Sequence, residues 1–149
     1  MRLIVQRVTE AQCIVDNNIT GSIDTGFMVL VGLGKNDDEN IVKKMAEKLS
    51  KLRIFSDEEG KINRSLYDVS GKVLSISQFT LYADAAKGNR PSFTDALSGE
   101  SAVRLYEYFN DCLRQLGIAV ETGIFGADMK ISLINDGPVT IILDSEELW

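Results

Sequence analysis

Residues 27 to 33 read FMVLVGL, an apolar run bounded by Gly26 and Gly34. A run this short, hydrophobic at nearly every position, fits a strand buried on both faces. Its neighbours must therefore supply the cover. From about Asp38 to Leu52, Ile41, Val42, Met45, Leu49 and Leu52 recur at helical spacing, which predicts one amphipathic helix. A second helix is predicted from a cap at Ser98 to about Leu116, with Leu105, Phe109, Cys112, Leu113 and Leu116 on one face. Strand patterns fall at 2–8, 12–15 (before a turn at Asn17-Asn18), 53–57, 72–83, 118–124, 129–134 and 139–143. Eight strands and two helices in this order do not alternate as a doubly wound parallel sheet requires. The expected fold is α+β within the broad α/β class: a curved, mostly antiparallel sheet or barrel-like roll with two packed helices.

At 149 residues, with 44% apolar and 26% charged side chains, the chain is expected to form a single domain over 1–149. No window approaches the roughly 18 apolar residues of a membrane span. The start, MRLIVQRVTEAQ, lacks the pattern of a secretory signal. A cytoplasmic protein with no membrane partner is the expectation. Cys13 and Cys112 lie inside apolar patterns and read as core thiols, the alternatives being a disulfide or a catalytic thiol.

The sequence contains no histidine. That excludes Ser-His and Cys-His pairs and removes the commonest general base near neutral pH. With no CxxC either, the usual zinc sites are excluded, and no metal or other cofactor is expected. Catalysis, if any, must use hydroxyls, carboxylates, lysines, backbone amides or groups on the substrate. The net charge of −6 weighs against nucleic-acid binding without settling it, because a local basic surface suffices. Lys44, Lys48 and Lys51 form such a stripe at i, i+4, i+7. It is either a solvated face or a phosphate-tracking surface.

Two short stretches carry the chemistry. In the first, Leu74 to Tyr82, strand alternation would set Gln78 and Thr80 side by side next to a glycine-containing loop, DAAKGNRPSFTDAL. An amide and a hydroxyl so placed are either the floor of a pocket or satisfied polar groups at a sheet edge. In the second, ISLINDGPVTIIL, Asp136-Gly137-Pro138-Val139 separates two β-branched runs. A hairpin turn is the plain reading. Yet the proline removes a donor where the second strand would begin to pair.

Ser77-Gln78-Phe79-Thr80-Leu81 resembles the SQxTL signature of the D-aminoacyl-tRNA deacylases, and Asn135-Asp136-Gly137-Pro138-Val139-Thr140 resembles their Gly-Pro motif. The order and separation of the two, the chain length, the early QRV and the KGNRPSF loop are similar throughout. The resemblance implies a fold like the editing domain of archaeal threonyl-tRNA synthetases. It also implies a homodimer that hydrolyses the ester between a D-amino acid, or glycine, and the terminal adenosine of tRNA. The Gly-Pro bond in this family is cis, and the motif reaches across the subunit interface into the partner's active site. Parallel carbonyls there would receive the substrate amino group and collide with an L side chain.

On this reading Thr80, Gln78, Phe79 and Ser77 are the expected catalytic group. Backbone N–H groups near Phe79 and Thr80 hold the oxyanion, and Gln78 orients the ester or the water. Thr80 either donates a hydrogen bond or acts as nucleophile; positioning is favoured, since no side chain is an obvious base for it. The ribose 2′-hydroxyl would then assist, making the reaction specific to RNA rather than DNA. Gly137, Pro138, Arg7, Phe125, Met129 and Ala102 are the expected substrate-binding residues. Arg7 would brace the Gly-Pro carbonyls, and the last three would shape the adenine pocket; a surface salt bridge and core packing are the rival roles. Lys87, Arg90, Lys44, Lys48 and Lys51 are candidate contacts to tRNA phosphates. Two other functions compete: a non-catalytic tRNA-binding module of the same fold, and a small-metabolite esterase. The second is disfavoured by the lack of histidine and of a GxSxG motif.

Overall fold

The computed structural model describes residues 1–149. The chain runs β1 (Arg2–Val15), β2 (Asn18–Ile23), β3 (Gly26–Gly32), α1 (Glu39–Ser50), β4 (Phe55–Ser56), β5 (Ile62–Arg64), β6 (Lys72–Ser77), a 3-10 turn (Phe79–Tyr82), α2 (Gly99–Gln115), β7 (Val120–Thr122), β8 (Lys130–Asp144) and α3 (Ser145–Leu148). The expected strand count and both long helices are present. The strand boundaries differ in an instructive way.

The two N-terminal strand patterns are one strand. β1 serves three neighbours: its first half pairs with β3, its second half with β2, and β8 runs antiparallel along its whole other edge. Asp16 and Asn17 then turn the chain with positive φ, a conformation Asn and Asp tolerate better than most residues. β3, the FMVLVGL strand, lies between β1 and β6 and pairs parallel to β6, which in turn pairs parallel to β7. The sheet order β2-β1-β3-β6-β7 curls until its ends meet. At that seam a Cβ on Gly21 would lie 2.6 Å from the carbonyl oxygen of Thr122, so only glycine lets β2 approach β7 so closely.

Two cores follow from this curl. The larger packs β1, β3 and β6 against α1 and α2, and includes Phe27, Val29, Met45, Leu49, Phe109 and Leu113. Each such fully buried side chain contributes about 1.5–3 kcal/mol through removal of apolar surface from water. The smaller core fills the inside of the curl with Val8, Ala11, Cys13, Met28, Leu74 and Ile76. Both cysteines are free and buried, one in each core, as the core-thiol reading expects. The Asp38 carboxylate caps α1 by accepting from the Ile41 N–H at 2.9 Å. Ser98 occupies the N-cap of α2, but its hydroxyl makes no capping bond. No helix is long and apolar enough to cross a membrane.

Two sequence expectations are corrected. The 72–83 segment is not one strand: β6 ends at Ser77 and Phe79–Tyr82 coils into the 3-10 turn. The 131–143 segment is not a hairpin. It lies within β8, continuous from Lys130 to Asp144, and the Gly-Pro step sits on an excursion from it. Five steps along β8, from Asn135 to Thr140, answer only two along β1, from Val8 to Gln6. The extra residues bulge out of the ladder, so the missing proline N–H costs no ladder bond.

Candidate active site

Where β6 stops, the backbone N–H of Gln78 still donates to Val31 O at 2.8 Å, anchoring the start of the 3-10 turn to β3. The turn's far end is tied to β1: Arg2 Nη1 donates to Leu81 O at 3.0 Å, and the guanidinium lies 4.5 Å from the centroid of the Tyr82 ring. Arg2 is itself fixed by Asp144 at 2.8 Å. So Ser77-Gln78-Phe79-Thr80-Leu81 is held at both ends. Gln78 and Thr80 are neighbours, as expected, but because the chain coils and not because a strand alternates. The Gln78 amide donates to the Thr80 hydroxyl at 2.5 Å. The first N–H groups of the turn have no acceptor inside it and so are available to an incoming oxygen.

Beneath this turn is a cleft of about 250 Å³, bounded by Ser77, Gln78 and Phe79 on one side and by α2 and the 123–131 segment on the other. Ala102, Phe125 and Met129 line it, as the sequence reading expects. Ala102 is buried, so its small side chain sets the depth of the cleft. Tyr106 closes the floor and was not expected from the sequence. Its hydroxyl donates to Ser75 O at 2.8 Å, its ring tilts against Phe125 at 5.7 Å, and burial raises its pKa above the ordinary phenol value. The only sequence signal for it is its place beside Leu105, three residues before Phe109 on α2. It is the one ionisable side chain in the lining; no carboxylate, lysine or arginine is among the residues that form the cleft. At the mouth Phe79 packs edge-on against Phe93 at 5.1 Å, which sets the 84–97 loop beside the cleft. Lys87 and Arg90 are exposed on that loop, whereas Lys44 and Lys48 lie on α1 with Lys51 at its C-cap, and none of the three lines the cleft.

Gly137 and Pro138 are not part of this cleft. Their excursion is exposed, and the Gly137–Pro138 peptide bond is cis. The segment is nevertheless held firmly at its base. Arg7, buried, donates through Nε to Asp136 O at 2.9 Å and through Nη1 to Ile54 O at 2.7 Å, and lies 3.5 Å from the Asp136 carboxylate. The brace thus grips the carbonyl just before Gly137 rather than those of Gly137 and Pro138. Asn135 closes the loop from inside, accepting from the Val139 N–H at 2.8 Å and donating to the Thr140 hydroxyl at 3.1 Å. Arg7→Leu leaves two carbonyls without a donor and is expected to lower the unfolding free energy by about 2 kcal/mol. Urea titration measures this; an unchanged midpoint would contradict the bracing role.

The curled sheet carries a mostly apolar cleft beneath the Ser77–Leu81 segment, with no carboxylate, lysine or arginine in its lining, and comparison with known proteins places the chain in a class of hydrolases. The family described as D-Tyr-tRNA(Tyr) deacylase matches residues 4–144. A D-aminoacyl-tRNA deacylase of Bacillus pumilus is 58% identical over 147 residues, covering 99% of this chain and 100% of that one. Its counterpart from Thermus aquaticus is 54% identical over 147 residues, covering 99% and 97%. Among solved structures, the c-Myc DNA Unwinding Element Binding Protein superposes with a TM-score of 0.90 at 38% identity, covering 97% of this chain and 98% of that chain. A chain described as a probable eukaryotic D-amino acid tRNA deacylase superposes with a TM-score of 0.81 at 20% identity, covering 95% and 97%, a likeness of fold. The Bacillus pumilus and Thermus aquaticus relatives carry the name of a hydrolase of the aminoacyl-tRNA ester bond. The chain belongs to the D-aminoacyl-tRNA deacylase family.

Proposed function

We propose that the protein deacylates D-aminoacyl-tRNA and glycyl-tRNA as a homodimer, spares L-aminoacyl-tRNA, and reads handedness with the Gly137-Pro138 segment of one copy placed over the cleft of the other. The observation that carries this reading is the separation of the two motifs within one chain. The cleft formed around Ser77, Gln78 and Phe79 has no carboxylate to pair with a substrate amino group, while the rigidly based Gly137-Pro138 excursion is exposed and lies outside that cleft. A second copy supplies each with the other. The outer edge of β8 favours such a contact, since Ile134 and Ile142 expose 54% and 68% of their surface along a strand paired on one side only.

In the mechanism proposed, the terminal adenine enters the apolar cleft against Phe125, Met129 and Ala102, and the ester lies over the 3-10 turn. The N–H groups of Phe79 and Thr80 stabilise the developing oxyanion, and Gln78 and Thr80 orient the reacting groups. Water is activated by the neighbouring ribose 2′-hydroxyl. An aminoacyl ester is already activated, so acceleration of this modest kind is enough. Main-chain carbonyls of the Gly-Pro segment receive the α-amino group and leave no room for a side chain in the L position. Glycine passes because it has none. Aminoacyl-tRNA as substrate makes the cytoplasm the site of action.

Incubation with D-tyrosyl-, L-tyrosyl- and glycyl-tRNA tests this directly. Release of amino acid from the D and glycyl esters alone is expected. Release from none would favour the tRNA-binding module, and cleavage of simple aryl esters the metabolite esterase.

A further inference from the structure

The exposed side of α1 carries a groove of about 440 Å³, lined by Lys44, Glu47, Lys48, Lys51, Arg53 and Trp149 among others. It shares no residue with the catalytic cleft. The chain holds 22 carboxylates against 16 lysines and arginines, so an unpaired basic cluster is not the default here. Lys61, Lys72 and Lys130 are each ion-paired, whereas Lys44, Lys48 and Lys51, like Lys35, Lys43 and Lys87, have no carboxylate partner; of these unpaired lysines, Lys44, Lys48 and Lys51 line this groove together. Beside them Trp149, the chain's single tryptophan, is 57% exposed, with Lys44 Nζ 5.6 Å from its ring centroid. Arg53 is held in position from the rim by donating to Asn63 O at 2.6 Å.

We infer that this groove is a second tRNA contact, seating a stretch of phosphate backbone on Lys44, Lys48 and Lys51 with a base face against Trp149. The inference rests on the deacylase reading, which makes tRNA the polyanion at hand. The geometry suits a nucleic-acid strand. Seven residues of helix rise about 10 Å, close to three phosphate-to-phosphate steps of about 3.4 Å each along a strand. An exposed indole among unpaired cations is the combination on which bases stack and backbones lie. An acidic peptide would satisfy the lysines but leave the indole face unused. A contact remote from the cleft would tighten binding of the whole tRNA without entering the chemistry.

Because Trp149 is the chain's only tryptophan, its fluorescence reports on this groove alone. Uncharged tRNA is expected to quench it saturably, and a CCA trinucleotide, long enough for the cleft only, is not. The triple variant Lys44→Gln/Lys48→Gln/Lys51→Gln should raise the tRNA Kd at least about tenfold near 0.1 M salt and flatten the salt dependence of log Kd by about three. It should raise KM for D-tyrosyl-tRNA while leaving cleavage of a D-tyrosyl ester of the CCA trinucleotide unchanged. That last arm reports the deacylase reading separately, since wild-type protein inactive on both substrates would sink that reading and not the groove. Unmoved Trp149 emission at saturating tRNA would overturn the proposal. So would an unaltered salt slope in the variant, an equal loss on the trinucleotide ester, or preferential binding of polyglutamate or duplex DNA.

Discussion

Removing the 2′-hydroxyl of the terminal adenosine is expected to reduce single-turnover deacylation by about 10²–10⁴-fold, the range that a positioned acid–base group contributes. Thr80→Ala is expected to cost only about tenfold, the worth of one hydrogen bond. The asymmetry follows from what surrounds Thr80. Its hydroxyl accepts a hydrogen bond from the Gln78 amide, which cannot remove a proton from it. The cleft contains no carboxylate or lysine, and its one ionisable group, Tyr106, is kept protonated by burial and occupied by Ser75 O. A nucleophilic Thr80 would find no base in the cleft or in its hydrogen-bond partner Gln78. The substrate's own hydroxyl, adjacent to the ester, has no such difficulty. An inactive Thr80→Ala enzyme alongside an active 2′-deoxy substrate would reverse the assignment.

Gly137→Ala is expected to lower kcat/KM for D-tyrosyl-tRNA by about 100-fold, the scale on which a displacement of about 1 Å acts in a preorganised site. Gly137 has φ +144°, which L residues seldom adopt, and an added Cβ would lie 2.7 Å from both the backbone nitrogen and the Cγ2 of Val139. Val139 N cannot simply move aside, because it is bonded to Asn135 Oδ1, and the other flank is held by Arg7. The excursion itself must shift. It lies outside the β1–β8 ladder and in solvent, so thermal stability should change by no more than about 1 kcal/mol. The ratio of D to L turnover should collapse together with the rate, since one rigid segment is proposed to serve both. An unchanged D/L ratio at a reduced rate would separate chirality from this segment.

Much of this was legible in the sequence, and the exceptions have physical causes. The helices at 39–50 and 99–115 were found because apolar residues repeat at helical spacing. The FMVLVGL strand was found because its run is short and unbroken. Strand patterning could not reveal that β6 ends at Ser77: FTLY is as apolar and aromatic as a strand, and what coils it is tertiary, the Arg2 bond to Leu81 O and burial of Tyr82. Nor could local sequence show that Gly137-Pro138 interrupts a strand rather than turning a hairpin, since the partner that keeps β8 straight is β1, more than a hundred residues earlier. Ala102, Phe125, Met129, Ser77, Gln78 and Phe79, which the resemblance to a family grouped together, line one cleft, whereas Thr80, grouped with them, is not among its lining residues. Tyr106 was missed because a tyrosine on an amphipathic helix looks like any core aromatic. Arg7 was correctly tied to the Gly-Pro segment, but its grip on Ile54 O depends on a loop that no pattern connects to it.

The claim at the centre is that each active site is built from two copies, a cleft from one and a Gly137-Pro138 segment from the other. Subunit mixing tests it most directly. Ala102→Leu fills the cleft and spares the segment; Gly137→Ala distorts the segment and spares the cleft. Each variant alone should be nearly inactive on D-tyrosyl-tRNA while remaining folded and dimeric. Random exchange of the two should restore about a quarter of wild-type turnover, because half the dimers would be mixed and each would hold one intact composite site. If mixed dimers form and stay inactive, or if a monomeric wild-type chain retains D-specific hydrolysis, the composite site is contradicted.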